Sequence, residues 1–348
     1  MKKIVYIGFA VTVSACSGSK LAAVRPDAVA PTVVTQKTPH DTDDPAIWVD
    51  PKNPSASLII GTDKDSDGGL YVYDLSGKII RKSIPLKRPN NVDVAYGLEI
   101  SGQKTDIVAT TERETNSLRV FSLPDLTPVD NGGIALFDGE TERSPMGIAF
   151  YTSENGKIYA IVGRKTGPSE HYLWQYELSD SGNGGVKASV VRKFGKFSGK
   201  KEIEAIAVDN EAKFVYCSDE TVGIRKYYAD PKASNEELAF FGQTGFASDH
   251  EGIAIYKTGE KTGYILISNQ QANTFMVYPR EGIPGKPNEH PLLAEVPVST
   301  IECDGADAIS LPLNSVFPQG FLVAMSNGMV FHLYDWRQIQ QRIDAQRN

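Results

Sequence analysis

The stretch HDTDDPAIWVD (40–50) sets Asp41, Asp43, Asp44 and Asp50 around an apolar strand signal. Carboxylates this close repel one another unless something positive sits among them. Acids recur at the start of later short strands: Asp93 in NVDVAYG (91–97), Glu204 in EIEAIAVD (202–209), Glu251 in HEGIAIY (250–256), and Asp304 and Asp307 in DGADAIS (304–310). In PMGIAFY (145–151) Met146 takes that place. Oxygen-rich clusters without His or Cys suit hard cations, calcium above all. The alternative is that each acid caps a turn or binds backbone amides. That reading suits a single Asp better than a position recurring five times. Basic residues follow the second strand of the first three units: Lys64, Arg113, and Arg164 or Lys165. Cations held by carboxylates, with Lys and Arg beside them, make a phosphate site. Bound metal would also let an acidic protein take a highly anionic substrate.

The elements that must position these residues repeat. A short strand recurs as LIIGTD (58–63), DIVATT (106–111), IYAIVG (158–163), FVYCSD (214–219), YILISN (264–269) and FLVAMS (321–326). An aromatic-rich strand follows each, with Tyr73, Phe121, Tyr176, Tyr227, Tyr278 and Tyr334 in equivalent places, 48 to 56 residues apart. A period near fifty with several strands per unit predicts propeller blades. The expected fold is therefore all-β, a six-bladed β-propeller with a central channel. The acid-bearing strand of each blade lines that channel, which gathers the carboxylates at one mouth. Alternation such as Leu118-Arg119-Val120-Phe121 predicts strands with one buried face. Residues 32–36 are expected to add a strand to the last blade and close the ring, removing open edges. A pair of sandwiches explains the period less well.

Lys2, Lys3, a short apolar run from Ile4 to Val13, and Val13-Ser14-Ala15-Cys16 read as a lipoprotein signal over residues 1–15, with lipid on Cys16. An ordinary secretory signal with a chance Cys is the alternative. Residues 16–32 read as a flexible tether and 33–348 as the propeller. The expected location is the bacterial cell envelope, lipid-anchored, or outside the cell, with the lipid the sole membrane contact. The formal charge of −7 becomes two units more negative once Lys2 and Lys3 are removed, which argues against a nucleic-acid partner. Cys217 and Cys303 lack metal-site spacing, and their pairing stays open.

Several motifs in order carry a family resemblance: DDPAIWVDPKNP (43–54), TDKDS before GLYVYDLSGK, NNVD (90–93), EIEAIAVD with SDE (218–220), DHEGIAIY (249–256), SNQQ (268–271) and DGAD (304–307). Over roughly residues 38–338 the chain resembles the β-propeller phytases, calcium-dependent enzymes that hydrolyse phytate (myo-inositol hexakisphosphate). The resemblance implies a 3-phytase that uses several calcium ions; a monomer is expected. Asp43, Glu204, Asp249, Glu251 and Gln270 would be calcium ligands. Asp44, Asn91, Val92 and Asp93 fall in ligand-bearing motifs. Asp304 and Glu220 would complete the acidic surround, with Glu220 beside the substrate phosphate. Lys64, Arg113 and Lys165 would hold phosphates. Glu204 and Asp249, with Lys64 and Arg113, would serve catalysis by activated water, without a covalent intermediate. Met146 stands where the family usually has a metal-binding Tyr, and STIECDGAD offers Glu302 with fewer Asp than the usual pattern. Other readings of the same mouth are a metal-dependent lactonase, another phosphoesterase, or a non-catalytic calcium-stabilised binding propeller.

Overall fold

The computed structural model describes residues 21–347. The chain folds as six antiparallel sheets arranged as a β-propeller. Blade one is built from Thr42–Trp48, Leu58–Asp63, Gly69–Tyr73 and Ile79–Lys82. Blade two has Pro89–Ile100, Gln103–Glu112 and Ser117–Ser122, and Ile134–Ala135 and Thr127–Pro128 both pair with the last of these. Blades three to five each run in chain order from the inside out, opening with Pro145–Thr152, Ile206–Asp209 and His250–Lys257. Blade six has Ala306–Ile309, Phe321–Ser326 and Val330–Asp335. Its outer strand comes from the start of the chain: Val33 pairs with Leu333, and Val34 with His332. This is the expected closure, and the backbone amides of Thr32 and Thr35 bond Leu333 and Phe331 as well. The first strands of successive blades lie against one another around the ring, the sixth returning to the first.

The six aromatics fall on the third strands and are all buried. Burial does not alternate as the sequence pattern predicts. Leu58–Asp63, Ile158–Arg164, Gly263–Asn269 and Phe321–Ser326 are buried at every position. Each blade is covered on both faces by its neighbours, so inner strands have no wet side. Ile47 and Ile59 pack toward blade six, while Ala46 and Ile60 pack toward blade two. Polar residues on such strands must find partners: Arg119, between Leu118 and Val120, is buried against Asp130 at 2.7 Å and Glu112 at 3.5 Å.

Two segments depart from expectation. The stretch read as a tether is held on the propeller from Ala22, whose carbonyl accepts the Asn273 side-chain amide. Val29 is buried and bonds the backbones of Pro297 and Ser299. The lipobox and Cys16 lie outside the described residues. At the other end Trp336–Arg347 forms an α-helix that no long apolar period announced. Trp336 stacks on Tyr256 with ring centroids 3.3 Å apart, and Ile339 and Ile343 are buried in the core between blades five and six. Cys217 and Cys303 are buried and unpaired, in separate core clusters. Among the described residues no helix is long and apolar enough to cross a membrane.

Candidate active site

The first and second strands of a blade are antiparallel, so the start of one meets the end of the other. Thr42 pairs with Asp63, Pro89 with Glu112, Pro145 with Arg164 and His250 with Asn269. That register places Asp43 beside Lys64, Asn90 beside Arg113, and Asp249 beside Gln270, whose backbone amide bonds the Asp249 carbonyl at 3.4 Å. In these four blades the ladder breaks within the next three residues of the first strand. Such a bulge re-aims side chains. In blade one it separates neighbours: Asp43 faces the mouth, while Asp44 turns down the channel toward blade two.

The mouth has two connected parts. In the first, Lys64 Nζ donates to Asp43 Oδ1 at 2.5 Å and Asp304 Oδ2 at 2.6 Å. Burial acts to lower the Lys64 pKa, but Asp43, Asp304 and Glu204 outweigh it and hold the ammonium charged. Asp304 also accepts from the Gln270 amide and is pushed up to about 6 by burial, with Lys64 opposing. Asn90, wholly buried, joins the two parts. Its Nδ2 donates to Asp43 Oδ2 at 3.0 Å, to Asn91 Oδ1 at 2.9 Å, and to Glu204 Oε1. Its Oδ1 accepts from Arg113 at 3.3 Å.

The second part is denser. Carboxylate oxygens of Glu202, Glu204 and Glu220 come within 4.8 Å of one another, as do those of Glu220, Asp249 and Glu251. Glu220 belongs to both groups and has no exposed surface. Burial raises its pKa to about 7 against the opposing pull of Lys201. Burial and neighbouring carboxylates hold Glu204 and Glu251 well above the ordinary range. Glu220 Oε1 and Glu251 Oε2 lack a hydrogen-bond partner, and Glu220 Oε2 meets Lys201 Nζ at 2.8 Å. Buried carboxylate oxygens without partners are costly. An all-oxygen set sharing one carboxylate fits a pair of hard divalent cations, which would use those oxygens. Gly147 lets blade three approach here: a Cβ on it would collide with the Glu204 carbonyl.

Other residues singled out in the sequence lie elsewhere in the channel or in other bonds. Asp44 accepts the Val92 amide at 3.0 Å, and Asp93 accepts the amides of Phe150 at 2.6 Å and Val94 at 2.7 Å. Asp307 likewise accepts the Ile47 amide at 2.9 Å. Each of the three ties its strand to the next blade, which is the backbone-amide alternative. With Asn91 and Val92 they line a channel cavity of about 250 Å³. Lys64 is bound to carboxylates rather than turned to an open anion site, and Lys165 Nζ is 2.7 Å from Glu202 Oε2. Met146 is buried and brings no side-chain oxygen. Each of the five His is engaged elsewhere: His40 with Asp63, His171 and His250 on backbone carbonyls, His290 with Pro279 and Lys226, and His332 with Thr300 and Tyr334.

The family model described as Phytase matches residues 3–347. The chain belongs to the phytase family. It is also similar to the 3-phytase of Bacillus subtilis (strain 168), 30% identical over 326 residues that cover 86% of this chain and 81% of the relative. In this phytase, sequence reasoning missed four mouth residues. Asn90 and Gln271 stood inside motifs already singled out, and Gln271 Nε2 donates to Asp249 Oδ2 at 3.1 Å. Glu202 could have been found from its i, i+2 spacing to Glu204, which puts both on one side of an extended chain. Lys201 carried no signal, since Lys200-Lys201 reads as a solvated charge run.

Proposed function

We propose that this phytase hydrolyses phytate to lower inositol phosphates and inorganic phosphate with calcium held at the mouth. The observation that carries the reading is the pair of three-carboxylate groups sharing buried Glu220, with oxygens left unpartnered, beside Lys165 on Glu202, Lys64 on Asp43 and Asp304, and Arg113 on Asn90. The 3-phytase relative supports the substrate. Bound calcium would supply positive charge for phosphate oxygens and acidify water. The protein's own groups do the rest. Glu202, Glu204, Glu220, Asp249 and Glu251 would hold the cations. Glu204 and Asp249 fix the place from which water attacks phosphorus. Lys64, Arg113 and Lys165 bind phosphate oxygens and stabilise charge on the transferring group. The His side chains are bonded outside this cluster, which supports attack by water rather than by a histidine. The reading is tested by phosphate release from phytate, with calcium and after chelation. Release that stops on chelation supports it. A folded chain that releases none refutes it and favours a binding propeller or a different ester.

The N-terminal signal supports a second proposal, that lipid on Cys16 anchors the chain at the cell envelope. The mass of the mature N-terminal peptide tests it, and an unmodified Cys16 would refute it.

A further inference from the structure

Lys201 lies on the connector between blades three and four, one residue before Glu202. Its Nζ is 2.8 Å from Glu220 Oε2, 2.9 Å from Asp249 Oδ2 and 3.8 Å from Glu251 Oε1. These are the three carboxylates of one complete group. The ammonium therefore stands where a divalent cation on that group would stand. It leaves the group unsatisfied: Glu220 Oε1 and Glu251 Oε2 still lack partners, and one positive charge faces three negative ones. Glu302, close enough to feel both Asp249 and Lys201, adds to the imbalance. The carboxylates are buried, whereas the Lys201 side chain is 41% exposed on a flexible stem. The partners are fixed and the ammonium is free to leave toward solvent. In the other group Lys201 touches the shared Glu220 but is not paired with Glu202 or Glu204, and Lys165 touches Glu202 alone.

We infer that Lys201 is an exchangeable counter-ion that competes with a divalent cation for the Glu220–Asp249–Glu251 position. It neutralises the group in the metal-free protein and swings outward when the cation takes its place. The position is thus weakened relative to its neighbour, and the two load at different cation concentrations. This rests on the proposed reading that the mouth takes divalent cations. It adds a residue that sets how much cation the second position requires.

The test is calorimetric titration of calcium chloride into the chelator-stripped full chain. The proteins are wild type, Lys201→Met, Lys201→Gln, and Lys213→Met, which removes a lysine paired only with exposed Glu154. Melting temperatures in chelator and in calcium are read alongside. Both Lys201 variants are expected to bind one calcium about tenfold tighter or more, from loss of one competing charge at contact distance. Lys213→Met should match wild type. In chelator the Lys201 variants should melt lower than wild type, and gain more on calcium addition. Calcium binding equal to or weaker than wild type in both Lys201 variants overturns the inference, as does no calcium uptake by any of the four proteins. Tighter binding in the variants, with no phosphate release by wild type, would refute the hydrolase reading and leave this one standing. Release with unchanged calcium binding would do the reverse.

Discussion

Glu220→Gln should have opposite effects on stability and on cation binding. Glu220 is wholly buried, belongs to both carboxylate groups, and meets Lys201 at 2.8 Å through Oε2 while Oε1 has no partner. Burial lifts its carboxyl from an ordinary 4.5 to about 7, against Lys201. A carboxyl raised on folding penalises the ionised folded state at high pH. At about 1.4 kcal/mol per pH unit, the penalty is about 3 kcal/mol at pH 8 and about 1 kcal/mol at pH 5. The neutral amide removes it. In chelator at pH 8, Glu220→Gln should therefore melt above wild type, by roughly 4–8 °C, and the gain should shrink by pH 5. With calcium the order reverses, because the variant has lost the carboxylate both groups share. The assay is thermal melting at the two pH values, with and without calcium, plus phosphate release. A variant less stable than wild type in chelator at pH 8, or one keeping the full calcium-induced rise, would refute the reasoning.

Three further outcomes follow from particular contacts. Burial holds Asp93 at about 7 and Asp307 at about 6, so the folded chain binds protons more tightly than the unfolded one between about pH 4 and 7. Stability in chelator should then rise as pH falls from 8 to 6.5, by about 1 kcal/mol for each carboxyl near 7. His290 and His332, held down to about 4, oppose this from about pH 7.5 downward, by about 0.4 kcal/mol each at pH 6.5, and Lys226, at about 8, opposes it at the upper edge, so the rise is partly offset. Denaturation midpoints against pH check the sign. Asn90→Ala removes the donor shared by Asp43 and Glu204; a loss of about 10- to 100-fold in phosphate release is expected, with the fold kept by circular dichroism. Ile339→Ala, in the terminal helix at the end of blade six away from the mouth, should cost about 2–5 kcal/mol and leave kcat at 25 °C unchanged.

The repeat, the ring closure and the acid-bearing first strands were legible in the chain, because blades recur with a period and strands carry local patterns. Tyr73 through Tyr334 marked the third strands, and residues 32–36 announced their pairing with the last blade. Local pattern could not reveal which strands have two dry faces, because that depends on neighbouring blades; Arg119 looked like a wet-side residue until Asp130 and Glu112 enclosed it. The terminal helix was hidden for the same reason, since Trp336 and Ile339 matter only once Tyr256 and blade five lie beneath them. The candidate site divides in the same way. Its composition and the end of the propeller that bears it could be read from Asp43, Glu204, Glu251 and Asp304. Tertiary structure decided how the acids divide. A bulge turns Asp43 to the mouth and sends its neighbour Asp44 to a backbone amide. Pairing within blade four sets Glu220 beside Glu202, and the next blade around the ring brings Asp249 and Glu251 against Glu220 and Lys201, a meeting that chain separation does not encode.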